Sequence, residues 1–526
     1  MVRVLLADPL EESGVRMFEE AGHEVVQLGD DERDRLPELV GGFDALVVRS
    51  RTKVTSELLG DGGRLRVIGR AGIGVDNVDI QAATELGILV VNAPTANMIS
   101  ATEHTFALLL ALARNVAAAC ASVKAQEWNR KRFLGTELQG KTLGVVGFGR
   151  IGQAVAARAR AFEMQVEASD PFLDPAVARR LDVELVPLEE LLGRADFVTL
   201  HTPLTDQTRN LLDRERIALM KPGARLVNCG RGGVVDEEAL LEALDGGRLA
   251  GAALDVFAQE PPADWRLAQH PRVVVTPHIG AQTQEAQERV ATDTVRMVLG
   301  ALAGSLAVTA VNLPFGPPGR EGAQFLRLAQ QLGRLASSLL GGPPRALHVD
   351  SWGLDEALQA PLTVAASRGA LTPALGEAVN FVNAARLAEA RGIEVVHSAH
   401  QRPSAYAHLI GVTVRGEDDQ VRLEGTLFGD DDARVVGFGS YRLEFRPAGR
   451  LLVLHNRDVP GVVGRLGMRL GAAAVNIAEI HLARHSGGGD ALAVLQLDQE
   501  PPAAVLAAIA AFEEVHSVRY VDLGDG

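Results

Sequence analysis

"LGVVGFGRIGQAVA", residues 143–156, begins as an apolar strand, breaks into glycines and resumes with apolar residues at helical spacing. Gly147-x-Gly149-x-x-Gly152 thus follows a strand and opens a helix, the context that a dinucleotide-binding turn requires. The first glycine permits the tight turn, the second lets the main chain approach a pyrophosphate, and the third lets helix and strand pack closely. Free amides and a partial positive charge at the helix start favour phosphate. Glycines alone are weak evidence in a chain that has 55 of them. Asp170, ending the next strand "QVEASD", strengthens the reading. An acid there accepts hydrogen bonds from both ribose hydroxyls and repels a 2′-phosphate, which predicts NAD rather than NADP. The plainer reading is that Asp170 caps the turn before Pro171.

The motif lies well inside the chain, so a complete unit precedes it. From residue 2 to about 97, short apolar stretches alternate with helical patterns: "VRVLLAD", "HEVVQL", "ALVVRS", "RVIGRAG", "GILVVNAP". That alternation predicts a parallel sheet covered by helices. Ser100-Ala-Thr-Glu103 reads as a capping box opening one long apolar helix to about Lys124. A second alternating region runs from Thr142 to about Ala281 through "TLGVVG", "QVEASD", "FVTLHTP", "RLVNCG", "GAALDV" and "VVVTPH". Residues 282–300 are helical, are followed by "AVNLP" and have no strands of their own, so they are expected to pack back on the first unit. The glycine-rich turn then comes late because its domain is inserted into another, and ligands sit in the cleft between the two.

Beyond "PFGPPGREG" the pattern loosens until about Gly449. The tail reads as strand "LLVLHN", turn "RDVPG", helix from Val462, strand "VNIAEIHLAR", turn "SGGGD", strand "ALAVLQL", helix from Pro502 and strand "HSVRYVDL". This β-α-β-β-α-β order is the ferredoxin-like plan. The expected fold is therefore α/β. Two Rossmann-like doubly wound domains come first, a discontinuous one (1–97 with 282–314) and the NAD-binding one (98–281). An α+β domain (315–449) and a ferredoxin-like domain (450–526) follow.

Bulk properties agree. A chain of 526 residues is too long for a single core and predicts three or four domains. The formal charge of -15 argues against a nucleic-acid partner. The apolar run Phe106 to Ala113 is stopped by Arg114, well short of the roughly 20 residues of a membrane span. "MVRVLLADPL" reads as a strand rather than a leader, so the expected location is cytoplasmic. Cys120 and Cys229 are the only cysteines, which leaves no disulfide framework or thiolate metal cluster, and no metal is expected. Five of the 52 basic residues are lysine, so an arginine at any one position carries less weight.

Three residues follow strands on one side of the inserted sheet: Arg231 in "NCGRGG", Glu260 in "DVFAQEPP" and His278 in "TPHIGA". Oxidising a 2-hydroxy acid needs a cation for the carboxylate and a proton acceptor for the hydroxyl. A guanidinium binds carboxylate in a planar fork, and histidine titrates near neutral pH. Glu260 would bond the other ring nitrogen of His278 and fix its tautomer. Each has an ordinary alternative: a surface arginine, a loop glutamate before prolines, a core histidine. Together beside a dinucleotide fold they point to catalysis. Cys229 is read as a small buried residue.

The stretches "VVRSRTKV", "GRAGIGVDNVD", "WNRKRFLGTELQGKTLGVVGFGRIG", "VNCGRGGVVDEEAL", "GAALDVFAQEPP" and "TPHIGAQTQEAQ" resemble the D-2-hydroxyacid dehydrogenase family over almost all of residues 45 to 290. The resemblance implies catalytic roles for Arg231, Glu260 and His278. It implies cofactor contacts at Gly147, Gly149, Arg150, Ile151, Gly152, Asp170, Thr202, Gly230 and Asp255, and substrate contacts at Arg49, Ser50, Arg51, Gly72 and Asn97. Arg130 or Arg132 would reach a neighbouring subunit's site. The expected substrate is 3-phosphoglycerate, oxidised by NAD to 3-phosphohydroxypyruvate as the first step of serine synthesis; the two arginines of "RSRT" suit its phosphate. Gln282 departs from the family's "GAST", which puts capping of the next helix in question, and Ile73 replaces a threonine of some relatives. The C-terminal part resembles the long form, with an intervening domain followed by an ACT domain that binds amino acids between paired copies. The implied effector is serine at Asn456, Asp458 and Asn476, in a homotetramer; the alternative is that both asparagines cap turns. Two other readings stand beside this one: a related dehydrogenase acting on glyoxylate or hydroxypyruvate, and an NAD-sensing interaction protein similar to the C-terminal binding corepressors. The paired arginines and the tail argue against both.

Overall fold

The computed structural model describes residues 2–304, 309–316, 318–401, 405–429, 431–485 and 489–524; the turn expected at "SGGGD" lies largely outside them. The first sheet is parallel, in the order β2-β1-β3-β4-β5. Its strands are β1 (Arg3–Leu6), β2 (Glu24–Gln27), β3 (Ala45–Val48), β4 (Val67–Arg70) and β5 (Leu89–Asn92). Near-continuous Val, Leu and Ile make these strands, as burial on both faces demands. The helix Gln284–Leu302 covers one face, where Val290, Val295 and Val298 join Val4, Leu6, Val47, Val67 and Val91 in one core. The chain then runs along the edge of β5, with Val311 N donating to Val90 O (2.7 Å).

The second sheet is also parallel and has seven strands in the order β12-β11-β10-β9-β6-β7-β8. They are β6 (Thr142–Val146), β7 (Gln165–Ser169), β8 (Glu184–Leu185), β9 (Phe197–Leu200), β10 (Arg225–Asn228), β11 (Gly251–Leu254) and β12 (Val273–Val275). The strand order reverses between β6 and β9, where a doubly wound sheet opens its ligand crevice. Helix Met98–Ala113 belongs to this lobe: Phe106, Leu108, Leu109 and Leu112 pack with Leu143, Val145, Phe148 and Val155.

Two local expectations are corrected. Ser100 and Glu103 form no capping box, because the helix starts at Met98 and Asn97 holds the cap position without a side-chain cap bond. Ser100 Oγ instead donates to Gly280 O (2.8 Å), tying together the two segments that cross between the lobes. The helix also does not run through to Lys124. It ends at Ala113, and Val116–Lys124 leaves at 65° after Asn115, which adopts a left-handed φ of 54°. Among the described residues no single helix is long and apolar enough to cross a membrane; only this bent pair passes on length and composition, and its first member is largely buried.

The remaining chain forms two sheets with a shared core. One has strands β13 (Ala346–Trp352), β14 (Glu394–His400), β15 (Leu409–Arg415), β16 (Gln420–Phe428) and β17 (Asp432–Phe438), in the order β14-β13-β15-β16-β17. Helices Gly319–Leu339 and Gln359–Leu375 pack on it. The other has β18 (Arg450–Arg457), β19 (Ile477–Arg484), β20 (Asp490–Leu497) and β21 (Val515–Asp522), in the order β19-β20-β18-β21. Every pairing in it is antiparallel, the ferredoxin-like plan. Helices Val462–Ala472 and Ala503–Ala510 cover one face, while Leu451, Val453, Leu492, Val494 and Val521 on the other face merge with the Phe325, Leu328 and Leu332 core. The two C-terminal units therefore share one core, and the ferredoxin-like unit keeps a second one between its helices and sheet.

Candidate active site

The glycine turn lies at the crevice of the second sheet. Gly147 has φ 86°, and a Cβ on it would meet the His201 carbonyl carbon at 2.8 Å, so β6 and the segment after β9 pass too closely for a side chain. Gly149 occupies the cap position of helix Arg150–Ala161 and has open space where a Cβ would project. Gly152 abuts the Gly147 carbonyl. Asp170 follows β7; its Oδ2 accepts from Phe148 N (2.9 Å) and its Oδ1 from Phe172 N (3.0 Å). The carboxylate therefore holds the glycine turn as well as capping its own. Each oxygen keeps a further lone pair for a ribose hydroxyl. Thr202 Oγ1 is buried with no hydrogen-bond partner. An orphaned hydroxyl, free helix amides and a Cβ-free cradle fit a dinucleotide. Arg150 and Ile151 form the first turn of that helix, and Gly230 follows β10.

Arg231, Glu260 and His278 come from the loops after β10, β11 and β12, three neighbouring strands. His278 Nδ1 lies 2.7 Å from Glu260 Oε2, and Glu260 Oε1 accepts from Phe257 N (3.2 Å). Both side chains are about half exposed to the cleft, at 45% and 39%. His278 adopts φ 55°, an uncommon conformation for a residue with a Cβ, and its N–H donates to Asp255 O (2.8 Å). Arg231 reaches the opposite lobe. Its Nε donates to Asp76 Oδ2 (2.8 Å), its NH1 donates to Gly230 O (2.8 Å), and its NH2 lies where a Cβ on Gly74 would project. Next to it, Gly232 packs against the Phe257 carbonyl, so the Arg231 loop touches the loop that carries Glu260.

Asp255 has a role that its implied cofactor contact does not describe. It is 1% exposed, and Oδ1 accepts from Thr276 Oγ1 (2.6 Å) and Ile279 N (2.8 Å) while Oδ2 accepts from Gly280 N (2.8 Å). His104 Nε2 lies 3.2 Å from Oδ1. Burial opposes ionisation, but the bonds from His104, Thr276, Ile279 and Gly280 outweigh it and hold the carboxyl below the usual range. Asp255 is thus the anchor of the loop that presents His278. Burial pushes the Cys229 thiol up to about 12 and His201 down to about 4, so neither carries charge at neutral pH.

On the first lobe, Arg49 N donates to Asp8 Oδ2 (2.6 Å) and the Arg49 guanidinium bonds Gln287 Oε1. Ser50 and Arg51 follow it on the exposed turn after β3. Gly72, with φ 146°, lies against the Arg70 guanidinium, and Asn97 Oδ1 is buried without a partner. Sequence reasoning missed Arg70 and Asp76. Arg70 ends β4 as Arg49 follows β3, and its pKa is lowered to about 10 by burial and by the nearby charges of Arg231 and Arg49. The cation's position at a strand end was the available signal. Gln282 leaves the next helix capped, because Thr283 Oγ1 accepts from Ala286 N (3.2 Å). Arg130 and Arg132 are exposed on the turn Arg130–Phe133, with Arg132 3.7 Å from Glu127.

The implied effector residues do not meet within one chain. Asn456, at the end of β18, donates to Arg457 O, and Asp458 pairs with Arg484 (2.8 Å). Asn476 precedes β19 at the other end of the sheet, level with Arg450, and donates to Asp498 Oδ2 (2.6 Å). About six residues of strand, roughly 20 Å, separate the two ends.

Comparison with known proteins gives the class first. Residues 106–280 match the family described as D-isomer specific 2-hydroxyacid dehydrogenase, NAD binding domain. D-lactate dehydrogenase from Aquifex aeolicus, complexed with NAD and lactic acid, superposes with a TM-score of 0.52 at 30% identity, over 58% of this chain and 96% of that one. The chain is an NAD-dependent dehydrogenase of this class. Residues 323–438 match the D-3-phosphoglycerate dehydrogenase intervening domain. The D-3-phosphoglycerate dehydrogenase of Bacillus subtilis is 41% identical over 99% of this chain and 100% of its own length. That of Mycobacterium tuberculosis H37Rv is 43% identical over 99% of both. The chain belongs to the D-3-phosphoglycerate dehydrogenase family.

Proposed function

We propose that the chain oxidises 3-phosphoglycerate to 3-phosphohydroxypyruvate with NAD, the first step of serine synthesis, in the cytoplasm. The observation that carries this is the 2.7 Å pair of His278 and Glu260 beside the Arg231 loop. Glu260 accepts a hydrogen bond from His278 Nδ1–H, which leaves the Nε2 lone pair of His278 as the base for the substrate hydroxyl. Arg231, held at Nε by Asp76 and at NH1 by the Gly230 carbonyl, keeps its other N–H donors for the substrate carboxylate. Asn97 Oδ1, buried and unpartnered, is a further contact for the substrate. Arg49, Arg51 and Arg70 supply the positive field for the phosphate. Gly147, Gly149, Gly152, Asp170 and Thr202 would hold NAD along the crevice, and NAD would supply the hydride acceptor.

Serine is the proposed effector, bound between paired C-terminal sheets, so that Asn456 and Asp458 of one copy face Asn476 of another. The wide separation of these residues in one chain supports that pairing. A homotetramer is the proposed assembly, with Arg130 or Arg132 reaching a neighbouring site. Trp128 (80% exposed) and Leu134 (89%) flank those arginines and suit a covered face. The test is NADH absorbance with NAD and a panel of 3-phosphoglycerate, D-lactate and glycolate, repeated with added serine. Preferential turnover of 3-phosphoglycerate is expected. Equal or greater turnover of the unphosphorylated acids would contradict the substrate assignment.

A further inference from the structure

Gln287, near the start of helix Gln284–Leu302, touches two parts of the site at once. It is buried, 8% exposed. Its Nε2 donates to Ala281 O (2.8 Å) and, over a longer distance, to Gln282 Oε1 (3.4 Å). Ala281 lies three residues after His278, on the segment that crosses back to the first lobe. The bond to Ala281 fixes the amide, because turning it over would set oxygen against oxygen. Oε1 is thereby presented to the first lobe, where it accepts from the Arg49 guanidinium.

The neutrality of this acceptor matters. Elsewhere in the first lobe arginines meet carboxylates: Arg33 bonds Asp8, and Arg64 pairs with Asp44 (3.1 Å). Arg49 also lies beside an acid, but Asp8 Oδ2 takes its main-chain N–H (2.6 Å), while Asp8 Oδ1 takes Thr52 Oγ1 (3.0 Å) and Arg33. Asn77 Nδ2 donates to the Arg49 carbonyl (2.6 Å). The main chain of Arg49 is pinned from two sides, and its guanidinium is aimed by an amide that leaves its charge without an acid among the described residues. A carboxylate at position 287 would aim the guanidinium equally well and cancel its charge. Arg70 feels the charges of both Arg49 and Arg231, which places Arg49 in the same cationic group as the arginine assigned to the substrate carboxylate.

We propose that Gln287 is the positioning residue that sets the preference for a phosphorylated over an unphosphorylated 2-hydroxy acid: it keeps Arg49 charged and oriented for the phosphate, and ties it to the segment that carries His278. This rests on the reading of 3-phosphoglycerate as substrate. Phosphate seated on Arg49 then bears, through one amide, on the segment that presents the base, so binding of the remote group helps to place the reacting one.

The test compares kcat/KM for 3-phosphoglycerate and for D-glycerate, the same acid without its phosphate, in the wild type, Gln287→Glu and Gln287→Met. The wild type should favour 3-phosphoglycerate. Gln287→Glu keeps an acceptor for Arg49 but neutralises it, and should cut that preference about tenfold or more through the KM for 3-phosphoglycerate, with the KM for NAD and the turnover of D-glycerate nearly unchanged. Gln287→Met removes both bonds without adding charge and covers the case that Gln287→Glu fails to fold. It should cut the preference less steeply, and most of its effect should disappear in an Arg49→Met background. Equal losses on the two acids, a loss independent of Arg49, or a wild-type preference retained in both variants would each overturn the role of Gln287. A wild type that does not favour 3-phosphoglycerate would instead overturn the substrate assignment, and this proposal with it.

Discussion

Arg231 Nε lies 2.8 Å from Asp76 Oδ2, so the arginine that follows β10 is held by a carboxylate of the opposite lobe. The pair spans the cleft and orients the guanidinium before substrate arrives. A charged hydrogen bond of this kind contributes about 1.5–3 kcal/mol. Asp76→Ala should therefore lower kcat/KM for 3-phosphoglycerate about 10- to 100-fold and leave the affinity for NAD unchanged. Steady-state kinetics checks this; an unchanged kcat/KM would show that Asp76 does not orient Arg231.

Glu260→Gln tests the tautomer. Glutamine can offer an N–H to His278 Nδ1, which moves the ring proton to Nε2 and removes the base. The expected result is a fall in kcat of at least about tenfold with the KM for NAD preserved. A variant with wild-type kcat would refute the role given to Glu260.

Asp170→Ala removes two backbone contacts and the ribose acceptor together. The preference for NAD over NADP should fall at least about tenfold, because the repulsion of a 2′-phosphate disappears. The measurement is the ratio of kcat/KM values for the two cofactors, and an unaltered ratio would remove Asp170 from cofactor selection.

Asp255 links the site to acid stability. Its carboxyl is held below its ordinary value, so the folded state binds that proton more weakly than the unfolded state. The contribution is fully present above about pH 4 and is lost as the pH falls through the folded value. Asp255→Asn should lower the melting temperature at pH 7, and the gap to wild type should narrow below about pH 4. Thermal unfolding across that range decides it; a gap that does not change with pH would contradict the assignment.

Much of this was legible in the sequence because parallel strands buried on both faces are near-continuous apolar runs, as β1, β3, β6, β9 and β11 are, whereas β7 (Gln165–Ser169) alternates polar and apolar residues. The strand β8, Glu184–Leu185, is too short to show a period. The cap expected at Ser100 failed because its hydroxyl makes a tertiary bond to Gly280, which no local pattern reveals. The break at Asn115 rests on one left-handed residue inside an apolar run. Glu260 and His278 were readable from their places after strands. Their coupling to Asp255 and the Asp76–Arg231 pair were not, since the latter joins residues 155 positions apart.

The central claim is that His278 takes the substrate proton. Its most direct test is a single turnover of His278→Ala with NAD and 3-phosphoglycerate, followed by NADH absorbance alongside a fluorescence titration of NAD binding. The account predicts that NAD binds as in the wild type while NADH forms about 10²–10⁴-fold more slowly. Wild-type NADH formation by that variant would contradict it.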